Sequence, residues 1–130
     1  MTNHDIMTVQ FNVAHLVTTY NVAWDEGRFD DVAACFTEEG TFLDGMGDLH
    51  RGRAAIAEFG ERSMSIFGAM RHLTTNHVVA PNGPTWIHRC YLYFVSGIGN
   101  EKAAATGHYD DEFVLTDSGP LFTARRVYLD

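Results

Sequence analysis

MRHLTTNHVVAPNGPTWIHRCYLYFVSG, residues 70–97, reads as two strands around a tight turn. Met70 to Ala80 carries β-branched residues in an extended pattern. PNGP at 81–84 breaks it, and Thr85 to Gly97 resumes as a long strand rich in aromatic and β-branched side chains. Downstream the same character continues. Lys102 to Leu115 is a further strand, TDSGP at 116–120 a turn, and Leu121 to Leu129 a last strand. Upstream the period changes from two to three and four. Val9, Val13, Leu16, Val17, Tyr20 and Trp24 place one apolar face on a helix over Thr8 to Glu26, with Thr8 as N-cap and Gly27 just past its end. Phe29 to Phe36 reads as a short second helix, Gly40 to Asp44 as a short strand broken by Gly45 and Gly47, and Arg53 to Phe67 as a third helix. Helices first and consecutive antiparallel strands after them is the α+β pattern, here spanning residues 1–130 as one domain.

Composition narrows the class of partner. With 17 acidic against 9 basic residues the chain carries a formal charge of −8, so a phosphate backbone or an anionic membrane surface is excluded as a partner. No apolar run approaches the length that spans a bilayer, and MTNHDIMTVQF has no basic region followed by an apolar core. Cys35 and Cys90 sit in apolar surroundings without a CxxC spacing, which predicts two reduced core thiols in a cytoplasmic protein.

Strand alternation then sorts the polar residues. His72, Thr74 and Asn76 fall on one face of their strand, Tyr109, Asp111 and Phe113 on one face of theirs, and His77 falls opposite His72, so these two histidines cannot clamp a metal on a regular strand. Polar side chains facing a sheet interior, joined by Tyr20, Trp24 and Asp25 near the end of the first helix, predict a pocket. Three groups in it bear on chemistry. Asp25 is a carboxylate near a helix end, His72 a base if a carboxylate orients it, and Asp44 and Asp111 are acids that an apolar pocket would perturb. The chain has no glycine-rich phosphate loop, no GxSxG, no HExxH and no compact metal triad in sequence. Cofactor-free, metal-free chemistry is the expectation, or binding without chemistry.

The residues also resemble a known family. Tyr20, Asp25, Gly27, Phe29 and Asp30, then Phe36-Thr37 with Gly40-Thr41-Phe42, then Gly52-Arg53 with Ala55-Ile56, then Arg71-His72 with Asn76, then Gly107, Tyr109, Asp111, Asp117 and Gly119, are similar to SnoaL-like proteins of the nuclear-transport-factor-2-like superfamily. The resemblance covers nearly the whole chain. It implies a cone, a curved sheet wrapped around three N-terminal helices and enclosing one pocket. Within the superfamily the pattern is nearest the dehydratase and dehydrochlorinase branch, whose catalytic Asp, His and Tyr fall at Asp25, His72 and Tyr20. The position of a second histidine in scytalone dehydratase is held here by Phe94.

Three readings follow from that resemblance. In the preferred one, a lyase or isomerase without cofactor removes a proton from a small, mostly apolar ring compound. His72 is the base, Asp25 orients it, Tyr20 donates to the departing or developing oxygen, and Asp44, Asn76, Asp111, Trp24 and Phe113 shape the pocket. A second is ketosteroid-isomerase-like, with Asp44 as base and Asp111 and Tyr20 beside it. Which of Asp44 and Asp25 is buried discriminates the two. A third is a binding or assembly module like the β subunit of ring-hydroxylating dioxygenases, which a pocket filled by side chains would favour. The resemblance also implies a homo-oligomer, a dimer above all; the strand face bearing Arg89, Tyr91 and Tyr93 is aromatic for a surface, and is either that interface or the face that covers the helices.

Overall fold

The computed structural model describes residues 5–130, so the first four residues of the N-terminal stretch read for a leader lie outside the described part. Nine elements follow in order: α1 (Ile6–Asp25), α2 (Phe29–Ala34), β1 (Phe36–Leu43), β2 (Leu49–Arg51), α3 (Arg53–Phe67), β3 (Met70–Asn82), β4 (Thr85–Ser96), β5 (Ala103–Thr116) and β6 (Gly119–Leu129). The strands form one six-stranded sheet in the order β2-β1-β6-β5-β4-β3. The α+β class is as expected. None of the described helices is long and apolar enough to cross a membrane.

Each element has a local cause. α1 buries Val9, Val13, Val17, Tyr20 and Trp24, the stripe that helical spacing marks. Its N-cap is Asp5 rather than Thr8. The Asp5 carboxylate accepts from the Met7 amide, and Thr8, in the first turn, gives its hydroxyl to the same carboxylate. Gly27, at φ +71°, ends the helix where a side chain would be strained. α3 keeps the expected bounds and packs on α2 so closely that a Cβ on Gly60 would lie 2.3 Å from the Phe29 ring.

The sheet departs from consecutive antiparallel pairing. β3, β4, β5 and β6 pair antiparallel in sequence, but β1 lies parallel to β6, and the three-residue β2 pairs antiparallel with β1 at the sheet edge. β1 runs from Phe36, four residues before the expected start, because Phe36 is buried against Phe122 of β6, with ring centroids 5.5 Å apart. α1 lies against β3 inside the curve, and the core forms between them from Tyr20, Phe36, Phe113, Phe122, Tyr109 and the aliphatic stripe of α1.

One irregularity changes which residues face inward. The β3–β4 register shifts between Thr75 and Val78, and Asn76 takes a positive φ of 60°. The shift is a β-bulge, and a bulge re-aims the residues after it. Asn76, expected inward with His72 and Thr74, is exposed, and His77, expected outward, turns in against His88. Asn76 is therefore no pocket residue; it is the residue type that tolerates the left-handed bend. Asn76→Gly should leave urea unfolding nearly unchanged, whereas Asn76→Val should cost about 1–2 kcal/mol, the steric penalty of a branched side chain in that conformation.

Candidate active site

The last turn of α1 and the first residues of β3 meet at one contact. Asp25 Oδ1 lies 2.7 Å from His72 Nδ1, and Asp25 Oδ2 accepts from the His72 backbone N–H at 3.1 Å. The carboxylate therefore grips both ring and main chain. With Nδ1–H donated to Asp25, the other ring nitrogen, Nε2, carries the lone pair. The ring is fixed further by Phe94, stacked at 5.8 Å and 19°, and by Trp24 at 5.6 Å. Phe94, at the position expected to align with scytalone dehydratase's second histidine, thus packs on the imidazole.

His72 forms part of the wall of a cavity of about 350 Å³. Phe42, Phe59, Met70, Leu92 and Val127 make most of the rest of that wall apolar, and Tyr20, Trp24, Asp44, Ser63 and Tyr109 are its polar points. Trp24 Nε1 is buried and has no hydrogen-bond acceptor among the described residues. Burial pushes the Tyr20 hydroxyl up to about 12, against the pull of the Arg125 guanidinium, so it remains a proton donor at neutral pH. Tyr109 is raised well above the ordinary tyrosine value, also by burial first.

Asp44 belongs to the same wall but is differently employed. Its Oδ2 lies 2.7 Å from His50 Nε2, and its Oδ1 accepts from the Met46 and Asp48 amides at 2.8 and 3.0 Å. Burial would raise its pKa, yet His50 and the two amides outweigh that and hold it below the usual aspartate range. Asp44 is the more buried of the two acids, while the Asp25 side chain is 15% exposed. Burial alone would thus point to Asp44 as the base, but a carboxylate already committed to three donors is a poor one.

Asp111 and Phe113 face inward with Tyr109, but only Tyr109 reaches the cavity. Phe113 is buried and stacked on Trp86 at 6.2 Å. Asp111 binds His88 Nδ1 at 2.7 Å and approaches Arg125 Nε at 3.5 Å. Both belong to the packed end of the cone, because Arg125 fills the space between them and the cavity: its guanidinium lies 3.6 Å from the Tyr109 ring centre and 4.3 Å from that of Tyr20. Reading the sequence missed Arg125, His50 and His88. Alternation alone turns His88 inward on β4, but its place beside Asp111 and Arg125 comes from the register of β4, β5 and β6.

Comparison with known proteins agrees with this architecture. The SnoaL-like domain profile matches residues 8–126, and the chain belongs to that family, within the nuclear-transport-factor-2-like superfamily. No protein of curated function matches the sequence. Among solved structures, a candidate aromatic ring hydroxylase from Novosphingobium aromaticivorans is similar at 25% identity and a TM-score of 0.86, over 97% of this chain and 92% of that one. A candidate scytalone dehydratase from the same organism shares 17% identity and a TM-score of 0.82, over 95% and 85%. A variant of Rv3472, a protein of unknown function from Mycobacterium tuberculosis, shares 24% identity and a TM-score of 0.82, over 92% and 70%.

The lowered pKa of Asp44 has a signed consequence. A carboxyl depressed on folding adds stability above its unfolded pKa and loses it as pH falls through the folded value. Asp44→Asn should therefore lower the unfolding free energy at pH 7, and the gap to the unsubstituted protein should close below about pH 4. Urea titrations at both pH values measure it.

Proposed function

We propose that the protein is a cofactor-independent lyase or isomerase of the dehydratase type, with His72 as base. The observation that carries this reading is the Asp25–His72 contact at the wall of an open, largely apolar cavity. His72 Nε2 takes a proton from a carbon next to an activating group, and Asp25 stabilises the imidazolium that forms. In the lyase direction the released electron pair makes a carbon–carbon double bond as the adjacent carbon–oxygen bond breaks. The proton on His72 returns to the departing hydroxide, which leaves as water. Tyr20, as a donor, and the unpaired Trp24 Nε1–H are suited to the oxygen on which negative charge develops. A volume of about 350 Å³ suits a small ring compound with few polar groups.

The open cavity and its ordered dyad favour an enzyme over an assembly module of the dioxygenase β-subunit kind. The saturation of the Asp44 carboxylate favours His72 over Asp44 as base. Proton exchange tests the reading before the substrate is known. Incubated in D2O with a panel of cyclic ketones and β-hydroxy ketones, the protein should wash deuterium into the carbon next to the carbonyl, followed by NMR. His72→Ala should slow that exchange by about 10²–10⁴-fold with the near-ultraviolet circular dichroism unchanged. Full exchange in the variant would remove His72 from the mechanism.

The outer sheet face supports a homodimer as the working form. Tyr91, Tyr93, Leu73 and Ile87 are all exposed on β3 and β4, and exposed apolar side chains gathered on one face mark an interaction surface. Sedimentation should give a dimer, and Tyr93→Glu should shift it to monomer; a monomeric parent protein would refute this. Cys35 and Cys90 are buried and unpaired, which supports a reducing, cytoplasmic location.

A further inference from the structure

The packed end of the cone holds a second cluster that the proposed reaction does not use. His77 Nδ1 lies 3.0 Å from His88 Nε2, and one ligand atom from each of His77, His88 and Cys90 falls within 4.8 Å of the others. Each member is placed there by something specific. His77 is turned inward only because β3 bulges at Asn76, whose backbone is held left-handed. His88 is buried, and its Nδ1 is 2.7 Å from Asp111, so Nδ1–H is donated to the carboxylate and the Nε2 lone pair accepts from His77 Nδ1–H, a proton that moves to the other nitrogen of His77 when a metal takes its place. A carboxylate behind a histidine in this way is the usual means of fixing a metal-binding tautomer. Cys90 is fully buried, two residues along β4 on the same face.

From this juxtaposition we propose that His77, His88 and Cys90 form a soft-metal site suited to Cu(I). Donor chemistry and charge both select that ion. Two imidazole nitrogens and a thiolate are a trigonal set that copper favours, whereas magnesium and calcium want oxygen. Two nitrogens 3.0 Å apart both reach a metal at the usual nitrogen bond length of about 2.0–2.1 Å. The buried charges nearby are Arg125 and Asp111, one of each sign, 3.5 Å apart. A monovalent ion with one thiolate leaves the cluster neutral, while a divalent ion would leave an uncompensated charge in the core.

Binding is balanced by one proton. Burial pushes the Cys90 thiol up to about 12 against the pull of Arg125, so it is a thiol until the metal–sulfur bond forms and its proton leaves to solvent. His77 sits below the ordinary histidine value, because of burial first and then His88 and Arg125, and so offers a neutral ring. Of the three, His88 borders an outer cavity of about 490 Å³ with Val79 and Ala80.

Anaerobic titration of the purified protein with Cu(I) against a coloured chelator tests the site. The protein should withhold a single equivalent from the chelator. Cys90→Ser and His77→Ala should each weaken that hold by at least about tenfold, and His15→Ala, on the exposed side of α1, should not. The His77 variant guards against misfolding, since His77 is only half-buried at a bulge. Failure to withhold Cu(I), or binding that survives either substitution, overturns the proposal and leaves the cluster a hydrogen-bonded network of structural role.

Discussion

A guanidinium with no solvent exposure sits in the middle of this cone, and the rest of the interior is arranged around it. Arg125 on β6 is held between the Tyr20, Tyr109 and Phe122 rings and beside Asp111. Burial works against its charge, but Asp111 and the surrounding groups outweigh that and keep it protonated. Three ring faces supply cation–π attraction where water is absent. Stranding either charge of such a pair typically costs about 3–5 kcal/mol, so Arg125 and Asp111 depend on each other. Arg125 is what stops the cavity. Tyr20 and Tyr109 both line it and both lie against the cation, while Asp111, His88 and His77 continue the polar path beyond.

That partition explains why Asp111, placed inward by strand alternation, and Asp44, at the end of the first short strand, have different environments from the acid at the helix end. Asp111 neutralises a buried cation through an oxygen that makes no hydrogen bond, and Asp44 holds the turn that follows β1 with both oxygens engaged. Asp25 instead spends both oxygens on one residue, His72, and ties the end of α1 to the start of β3. The dyad is therefore part of the scaffold as well as a candidate for chemistry. A base anchored through its own main chain keeps its ring orientation without help from a bound ligand, which is the condition for orienting a lone pair toward a reacting carbon.

How much of this was legible before any coordinates depends on the range of the interaction. Local signals carried well: the apolar stripe of α1, the bounds of α3 and the PNGP turn follow from spacing and turn chemistry. The pairing of Asp25 with His72 came from a family resemblance. Nothing local to either residue announces a contact across 47 positions. The parallel partner of β1 was illegible because that pairing joins the start of the chain to its end. Asn76 was misplaced because alternation holds only while a strand is regular, and a single asparagine is a weak mark of a bulge. His88, Asp111 and Arg125 are each inward by alternation, but only the register of three strands reveals them as one row.

The same row shows why a polar interior need not be a single site. The interior beyond the cavity that His72 borders must be filled, and apolar residues would fill it most simply. Here the filling includes Arg125, Asp111, His88 and Cys90, all buried, with a bulge in β3 that brings His77 to them. Buried polar groups weaken a core unless each is matched, and matching them demands a register and a bulge that apolar filling would not need. The cavity end requires none of this: the Asp25–His72 contact rests on α1 and β3. The packed polar end is a separate structural investment, and its donor chemistry is that of a site rather than of a plug.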